Sequence, residues 1–160
     1  RYTMDDLTFV ETLVSDPSVM QYIGDGLPKG YTYAKDLIER MLEQYKNFDD
    51  YGLHVLIHKE TGERIGHAGI VAQLIDDAFE IELGYWIHPD YWRQGYGTEA
   101  AQALAYYADE EIELERYVSA IQVGNIPSQK IALQNGMTLE KTIDMEGKHV
   151  HIYVKQKDLI

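Results

Sequence analysis

Residues 79–100 read FEIELGYWIHPDYWRQGYGTEA. The stretch begins with the alternating apolar pattern of a β-strand, turns at 88–90 and continues into a Gly-Tyr-Gly loop at 95–97. Directly after the glycines, residues 98–109 follow a helical pattern, with the helix predicted to begin at Thr98. A strand, a glycine loop and a helix in this order direct backbone N–H groups and a helix N-terminus at an anion, usually a phosphate.

The Gly-x-Gly spacing does not by itself identify the anion. A dinucleotide-binding fingerprint needs a third glycine, but Ala100 stands at that position, and the chain lacks the Gly-Lys-Ser/Thr of a P-loop. The strands before the loop also follow an antiparallel meander rather than a β-α-β unit. These observations exclude two common nucleotide folds and leave the ligand open.

The rest of the chain supplies two helices before this stretch and a mixture of strands and helices around it. Helices are predicted over 4–15, from Thr32 to Tyr45, and from 125 to a close at 135–136. Strands are predicted over 53–57, 64–72, 80–87, 117–123, 137–143 and 149–155, with 73–78 as a connector. Two helices, three strands, helix, strand, helix and two strands predict an α+β domain with a mixed sheet.

Composition narrows the range of possible functions. A length of 160 residues is most simply one domain, and the absence of cysteine excludes disulfides, thiolate zinc sites and a cysteine nucleophile. The net charge of −13 disfavours nucleic-acid binding and suits cationic partners or, alternatively, a solvated acidic surface that aids solubility. No apolar run approaches the ~20 residues of a membrane span, so no membrane association and a cytoplasmic location are expected. The histidine pairs 54/58 and 149/151 lack a third ligand at suitable spacing, so no metal is predicted.

Two ordered motifs carry a family resemblance. Residues 82–100 closely resemble the acetyl-CoA signature of the GNAT superfamily of N-acetyltransferases, in the branch with the ribosomal-protein N-terminal acetyltransferases RimJ and RimL. The same branch shows the second pattern, which here comprises Arg116, Asn125-x-x-Ser128 and a helix ending in Gly136-Met137. Trp92 fills a slot that holds Gln or Arg in most of the superfamily, and Gly97 replaces a common alanine. Neither departure threatens cofactor binding.

The resemblance implies a fold as well as an activity. It implies a GNAT-type α+β fold, in which a mixed, mostly antiparallel sheet is flanked by helices and its splayed central strands form the acetyl-CoA cleft. One acetyltransferase domain is expected over 1–160, with the first strand of the family fold before Arg1. Dimerisation through the sheet is open by analogy alone.

Acetyl-CoA as co-substrate follows from the same resemblance. The backbone amides of 94–98 would hold the pyrophosphate, and the pantetheine arm would pair with the backbone of 86–88. Arg93 and Lys130 are candidates for phosphate contacts or, alternatively, solvated surface charges. The implied cofactor-binding residues are Trp86, Ile87, His88, Arg93, Gln94, Gly95, Tyr96, Gly97, Thr98, Asn125 and Lys130.

The catalytic residues implied are Glu82, Ser128 and Asn125. Glu82 is the leading general base and Glu80 the second candidate, while the alternative is that both face solvent. Ser128 would donate a proton to the leaving thiolate and Asn125 would orient cofactor or substrate. Both could equally be helix caps, because Asn and Ser suit a helix N-terminus.

Direct transfer in a ternary complex is expected, because an acyl-cysteine route is impossible without cysteine. An α-amine titrates near ~8 and a lysine near ~10.4, which favours an α-amino acceptor over a lysine, and the resemblance implies the α-amine of a protein N-terminus. Small amines (polyamines, amino acids, aminoglycosides) and a non-catalytic acyl-CoA-binding module stay as alternatives. Residues 22–35 and 145–150 are expected to decide the acceptor.

Overall fold

A six-stranded sheet forms the centre of the molecule in the computed structural model, which describes residues 1–157. Its strands are β1 (Gly52–Ile57), β2 (Arg64–Ile75), β3 (Ala78–Ile87), β4 (Arg116–Gln122), β5 (Thr138–Met145) and β6 (Lys148–Gln156). They lie in the order β1-β2-β3-β4-β6-β5, antiparallel throughout except for the parallel pair β3 and β4. The predicted meander of the first three strands and the mixed, mostly antiparallel sheet are confirmed.

Helices cover both faces of this sheet. They are α1 (Leu7–Ser15), α2 (Pro17–Met20), α3 (Tyr31–Asn47), α4 (Tyr96–Tyr106) and α5 (Ile126–Gln134). Helices α1, α2 and α3 bury apolar residues such as Leu13 and Ile38 against Val71 and Trp86 of the sheet. Helices α4 and α5 lie on the opposite face. None of the helices among residues 1–157 is long and apolar enough to cross a bilayer.

Side chains along β3 alternate between the two faces of the sheet. Leu83 belongs to the core cluster beneath α4 and α5, whereas Trp86 packs in the cluster beneath α1 to α3. Because successive side chains of a strand point to opposite faces, Glu80 and Glu82 share the face of Trp86, and Tyr85 lies on the other. The alternation of residues 80–87 in the sequence predicts this same division between the two faces.

The central strands separate, as the resemblance predicted. Strands β3 and β4 pair only at Glu82 and Val118. By contrast, β2 and β3 pair continuously from Gly66 with Ile87 to Ile75 with Ala78. A parallel pair held at one point leaves the two strands free to diverge on either side of it.

The predicted connector at 73–78 is wrong. Strand β2 continues to Ile75 and β3 begins at Ala78, so that only Asp76 and Asp77 form the turn. Their φ angles of 53° and 63° are left-handed, as a two-residue type I′ hairpin turn requires. Asp tolerates this conformation, so a tight turn can replace the predicted six-residue connector.

Two helix starts also differ from prediction. Helix α3 begins at Tyr31 after an extended Gly30, so Thr32 lies inside the first turn and does not cap it. Helix α4 begins at Tyr96 rather than Thr98, because Gly95 adopts the left-handed conformation that precedes the first turn. The predicted helical stretch to Asp109 ends its α-helical part at Tyr106 and continues as a π-helical turn, Tyr107–Glu111.

Candidate active site

We call the contact between β3 and β4 the seam, and its two sides differ. Beyond the pair Glu82–Val118, towards Ile87 and Gln122, the strands diverge around a cavity of about 630 Å³. Ten of the residues predicted from the sequence line this cavity: Glu82, Trp86, Ile87, Arg93, Gly95, Tyr96, Gly97, Thr98, Asn125 and Ser128. These ten residues come from strand β3, the loop before α4, helix α4 and the start of helix α5, and they meet at the open end of the seam.

Three predicted cofactor residues are not part of the cavity lining. The His88 ring accepts a hydrogen bond from the Asp90 N–H at 3.2 Å, which stabilises the turn after β3. The Gln94 amide donates to the Asp90 carbonyl at 3.3 Å. Lys130 is exposed on α5. Contacts of these three residues with a cofactor therefore stay predictions.

Glu82 lies where the strands begin to separate. Its Oε2 accepts the Ala120 N–H of β4 at 2.8 Å, and its Oε1 accepts the Gln73 side-chain amide. Within residues 1–157 no Lys, Arg or His lies within ion-pair distance of this half-buried carboxylate. Burial raises the pKa of Glu82 to about 7, while the Ala120 N–H acts in the opposite direction.

Glu80, the second candidate base, lies at the closed end of the seam. Arg116 Nε lies 3.1 Å from Glu80 Oε1, and Arg116 Nη1 lies 2.8 Å from Glu140 Oε2 of β5. The Glu80 side chain is 14% exposed, so it does not face solvent freely. An ion-paired carboxylate outside the cavity lining is poorly suited to accept a proton there.

The glycine loop has the geometry of an anion site. Gly95 has φ 86° and precedes α4 without any side-chain cap. The first N–H groups of a helix have no partner within the helix, so those of Tyr96, Gly97 and Thr98 are available at the cavity wall. Backbone donors at a helix N-terminus, directly after a glycine whose Cβ position is open, fit a pyrophosphate.

Of the two residues that could be helix caps, Asn125 is one and Ser128 is not. Asn125 is the N-cap of α5 and accepts the Ser128 N–H at 3.4 Å, while both residues line the cavity. The Tyr85 hydroxyl donates to Ser128 Oγ at 3.1 Å. The sequence motifs do not point to Tyr85, because the period-two alternation places it among the apolar side chains of β3. The available signal was the hydroxyl itself, since a buried tyrosine usually has a hydrogen-bond partner.

Comparisons with known proteins agree with this geometry. The family model of the acetyltransferase (GNAT) domain matches residues 1–138. YkkB, an uncharacterised protein of Bacillus subtilis (strain 168), is 31% identical over 159 residues, which cover 95% of this chain and 87% of that protein. The crystal structure of an acetyltransferase from Agrobacterium tumefaciens str. C58 has a TM-score of 0.80 at 26% identity, over 98% of this chain and 88% of that one.

Two further matches lie among the ribosomal-protein acetyltransferases. The ribosomal-protein-serine acetyltransferase of Escherichia coli (strain K12) is 39% identical over 59 residues, which are 37% of this chain and 33% of that protein. The structure of RimL, a ribosomal alpha-N-protein acetyltransferase in complex with coenzyme A, has a TM-score of 0.76 at 16% identity, over 97% of this chain and 90% of that one. The family model, the curated relatives and the fold together show that this chain belongs to the GNAT superfamily of N-acetyltransferases.

Proposed function

We propose that this N-acetyltransferase moves the acetyl group of acetyl-CoA directly to a primary amine, the α-amine of a protein N-terminus. The observation that carries the proposal is the shared cavity: Glu82, Ser128 and the glycine loop all line it. Transfer in a ternary complex needs a base near the amine, a proton donor near the thiolate and a site for the CoA phosphates. One cavity contains a candidate for each.

Glu82 is the proposed general base. The attacking nitrogen must be neutral and must lose a proton as the new C–N bond forms, and Glu82, directly or through water, accepts that proton. With a pKa near 7, the carboxylate is substantially ionised at neutral pH and still basic enough to be useful. As the C–S bond of the thioester breaks, the leaving sulfur takes its proton from Ser128. A proton from solvent then restores Ser128.

The proposed cofactor contacts follow from the fit of the loop. The N–H groups of 94–98 would hold the pyrophosphate, and Arg93 and Lys130 would contact phosphates. The backbone of 86–88 would hold the pantetheine arm, and Asn125 would orient the cofactor. Local donors are needed because a protein of net charge −13 repels an anionic cofactor at long range.

The acceptor proposal has two supports besides the lower pKa of α-amines. One is the similarity to the ribosomal-protein-serine acetyltransferase, which acts on a protein. The other is a second cavity of about 530 Å³ that shares Ile23 with the first. Asp25 and Glu146 line it, from the two segments that the sequence predicted to decide the acceptor, and Lys29, which also lines it, is ion-paired with Asp25. This adjoining space suits the continuation of a peptide beyond its N-terminal amine.

A matched acceptor panel tests this function. CoA release would be measured with acetyl-CoA and three acceptors: a peptide with a free N-terminus and no lysine, the same peptide blocked at its N-terminus but carrying one lysine, and spermidine. We expect the highest kcat/KM with the free N-terminus. Preference for spermidine or for the lysine peptide would refute the acceptor assignment. Tight acetyl-CoA binding without turnover on any amine would instead identify a non-catalytic acyl-CoA-binding module.

A further inference from the structure

We propose that Tyr85 is a positioning residue that directs the hydroxyl proton of Ser128 into the cavity. The proposal rests on the proposed function, in which Ser128 protonates the leaving thiolate. Tyr85 projects from β3 and Ser128 lies in the first turn of α5, and the two side chains meet at the cavity wall. The Tyr85 hydroxyl donates to Ser128 Oγ at 3.1 Å.

The direction of this hydrogen bond determines where the serine proton can point. A serine hydroxyl has one proton to donate and two lone pairs that accept. Because a phenol is a stronger acid than an alcohol, Tyr85 is the preferred donor of this pair, and the Ser128 proton then points away from Tyr85. Among residues 1–157, no side chain or carbonyl accepts a hydrogen bond from Ser128 Oγ. The proton is therefore available to a group inside the cavity.

Tyr85 is suited to be a constant donor. Burial raises the pKa of its phenol, although the bond to Ser128 acts in the opposite direction, so the hydroxyl keeps its proton throughout the neutral range. A residue that never ionises in this range cannot reverse the hydrogen bond by becoming an obligatory acceptor. The Ser128 hydroxyl can then donate its proton only to a group inside the cavity.

Gly97 leaves room for the Tyr85 ring. A Cβ at Gly97 would lie 3.2 Å from Tyr85 Cε2, which is tighter than ordinary van der Waals contact. The glycine therefore gives the ring its room, and this is a reason for Gly97 distinct from the approach of a phosphate. Tyr85 thus lies between the glycine loop that would hold the pyrophosphate and the serine that would face the sulfur.

The test uses CoA itself as the probe and needs no turnover. A hydrogen bond donated to a thiolate lowers the pKa of the thiol, which thiolate absorbance in the ultraviolet reports during a pH titration of bound CoA. We expect Ser128→Ala to raise the pKa of the bound thiol by about one unit. Tyr85→Phe should raise it by at least half as much, and the double variant should resemble Ser128→Ala alone.

A matched control variant is available on strand β6, where a second tyrosine hydroxyl bonds to the same helix, α5. Tyr153 donates its hydroxyl to the Gln129 side chain at 3.1 Å, so Tyr153→Phe removes a tyrosine hydroxyl bound to α5 without touching Ser128. This control should leave the pKa of the bound thiol unchanged. In steady state, Tyr85→Phe should lower kcat about tenfold without changing KM, and it should have little further effect in Ser128→Ala.

The outcomes separate this proposal from the proposed function. A thiol pKa that responds to Ser128→Ala but not to Tyr85→Phe overturns the role of Tyr85 alone, and an equal response to Tyr153→Phe overturns it as a general packing effect. If the pKa of the bound thiol changes in neither Ser128→Ala nor Tyr85→Phe, both the proton donation by Ser128 and the role of Tyr85 are overturned. The expected pattern of pKa values in a protein that acetylates no amine would support Tyr85 while refuting the proposed function.

Discussion

The two ends of the seam contain the same kind of side chain in opposite surroundings. At the closed end, Glu80 is neutralised by Arg116, which also binds Glu140. At the open end, two residues along the same face of β3, Glu82 has backbone and amide donors for partners. A carboxylate next to a cation stays ionised at little cost, whereas one that is desolvated without a cation acquires a raised pKa. The comparison shows that position along one strand separates a structural carboxylate from a chemically useful one.

Side chains also terminate the pairing at the open end. The Ala120 N–H bonds to Glu82 Oε2 at 2.8 Å, and the Leu83 carbonyl accepts the Ser119 hydroxyl at 2.9 Å. Buried backbone groups need partners, and here two of them are satisfied by side chains instead of by the opposite strand. The strands can therefore separate without leaving these groups unpaired, and the cavity forms between them.

The largest expected effect comes from neutralising each carboxylate in turn. Glu82→Gln should lower kcat/KM for the best acceptor by roughly 100-fold or more, the usual contribution of a general base. Glu80→Gln, the matched control at the closed end, should change it by less than about threefold. CoA release would be followed for both variants. Full activity in Glu82→Gln, or equal losses in both, would abolish the distinction between the two ends.

The pH dependence should show the same distinction. Because Glu82 must be ionised to accept a proton and its pKa is about 7, kcat should fall about tenfold per pH unit below 7. The quantity to measure is kcat, since kcat/KM also reports the free α-amine, which titrates near ~8. Glu80→Gln should retain the acidic limb and Glu82→Gln should lose it. If the acidic limb of the kcat profile survives in Glu82→Gln, the titration of another group causes it.

The sequence predicted the open end better than the closed end, for a physical reason. Period-two alternation in 80–87 places Glu82 on a defined face, and Asn125 before a proline marks a helix start, so local rules suffice for both. The partners of Arg116 lie on β3 and β5, and Tyr85 and Ser128 are 43 residues apart. Such pairs depend on how the strands and helices are placed in three dimensions, which periodicity does not report.

The misplaced boundaries have a related cause. Asp76-Asp77 carried a usable turn signal, but the apolar residues around it gave no indication that both strands would continue to the turn. At the glycine loop, composition identified the loop but not which glycine ends it. The positive φ of Gly95 shows that Gly97 is already inside the helix.

The closed end should matter for stability rather than for chemistry. Arg116→Met leaves Glu80 without its cation, and we expect a loss of roughly 2 kcal/mol in the free energy of unfolding, less than for a fully buried pair. Denaturant unfolding at pH 7 measures this loss. Adding Glu80→Gln should recover part of it, because the stranded charge is removed. A kcat reduced more than about threefold in folded Arg116→Met would show that the closed end also controls catalysis.

At the open end, ionised Glu82 should lower the free energy of unfolding. The pKa of Glu82 is raised above the ordinary value of 4.5. Its contribution to the free energy of unfolding is therefore fully present below pH 4.5 and is lost as pH rises through about 7. Glu82→Gln, which cannot ionise, should therefore be more stable than the wild type by roughly 2 kcal/mol at pH 8. The two should be equal near pH 4. Thermal unfolding across this range tests the sign, and a less stable Glu82→Gln at pH 8 would contradict it.

The smallest effect concerns whether side-chain bonds hold the seam open. Ser119→Ala removes the donor to the Leu83 carbonyl and should cost about 1 kcal/mol in the free energy of unfolding. Ser119→Thr keeps a hydroxyl at the same position and should stay close to the wild type. If both variants lose equal stability, the size of the side chain matters at this position and the hydrogen bond does not. The Leu83 carbonyl would then not depend on the Ser119 hydroxyl. The separation of the strands would have to come from packing against α4 and α5.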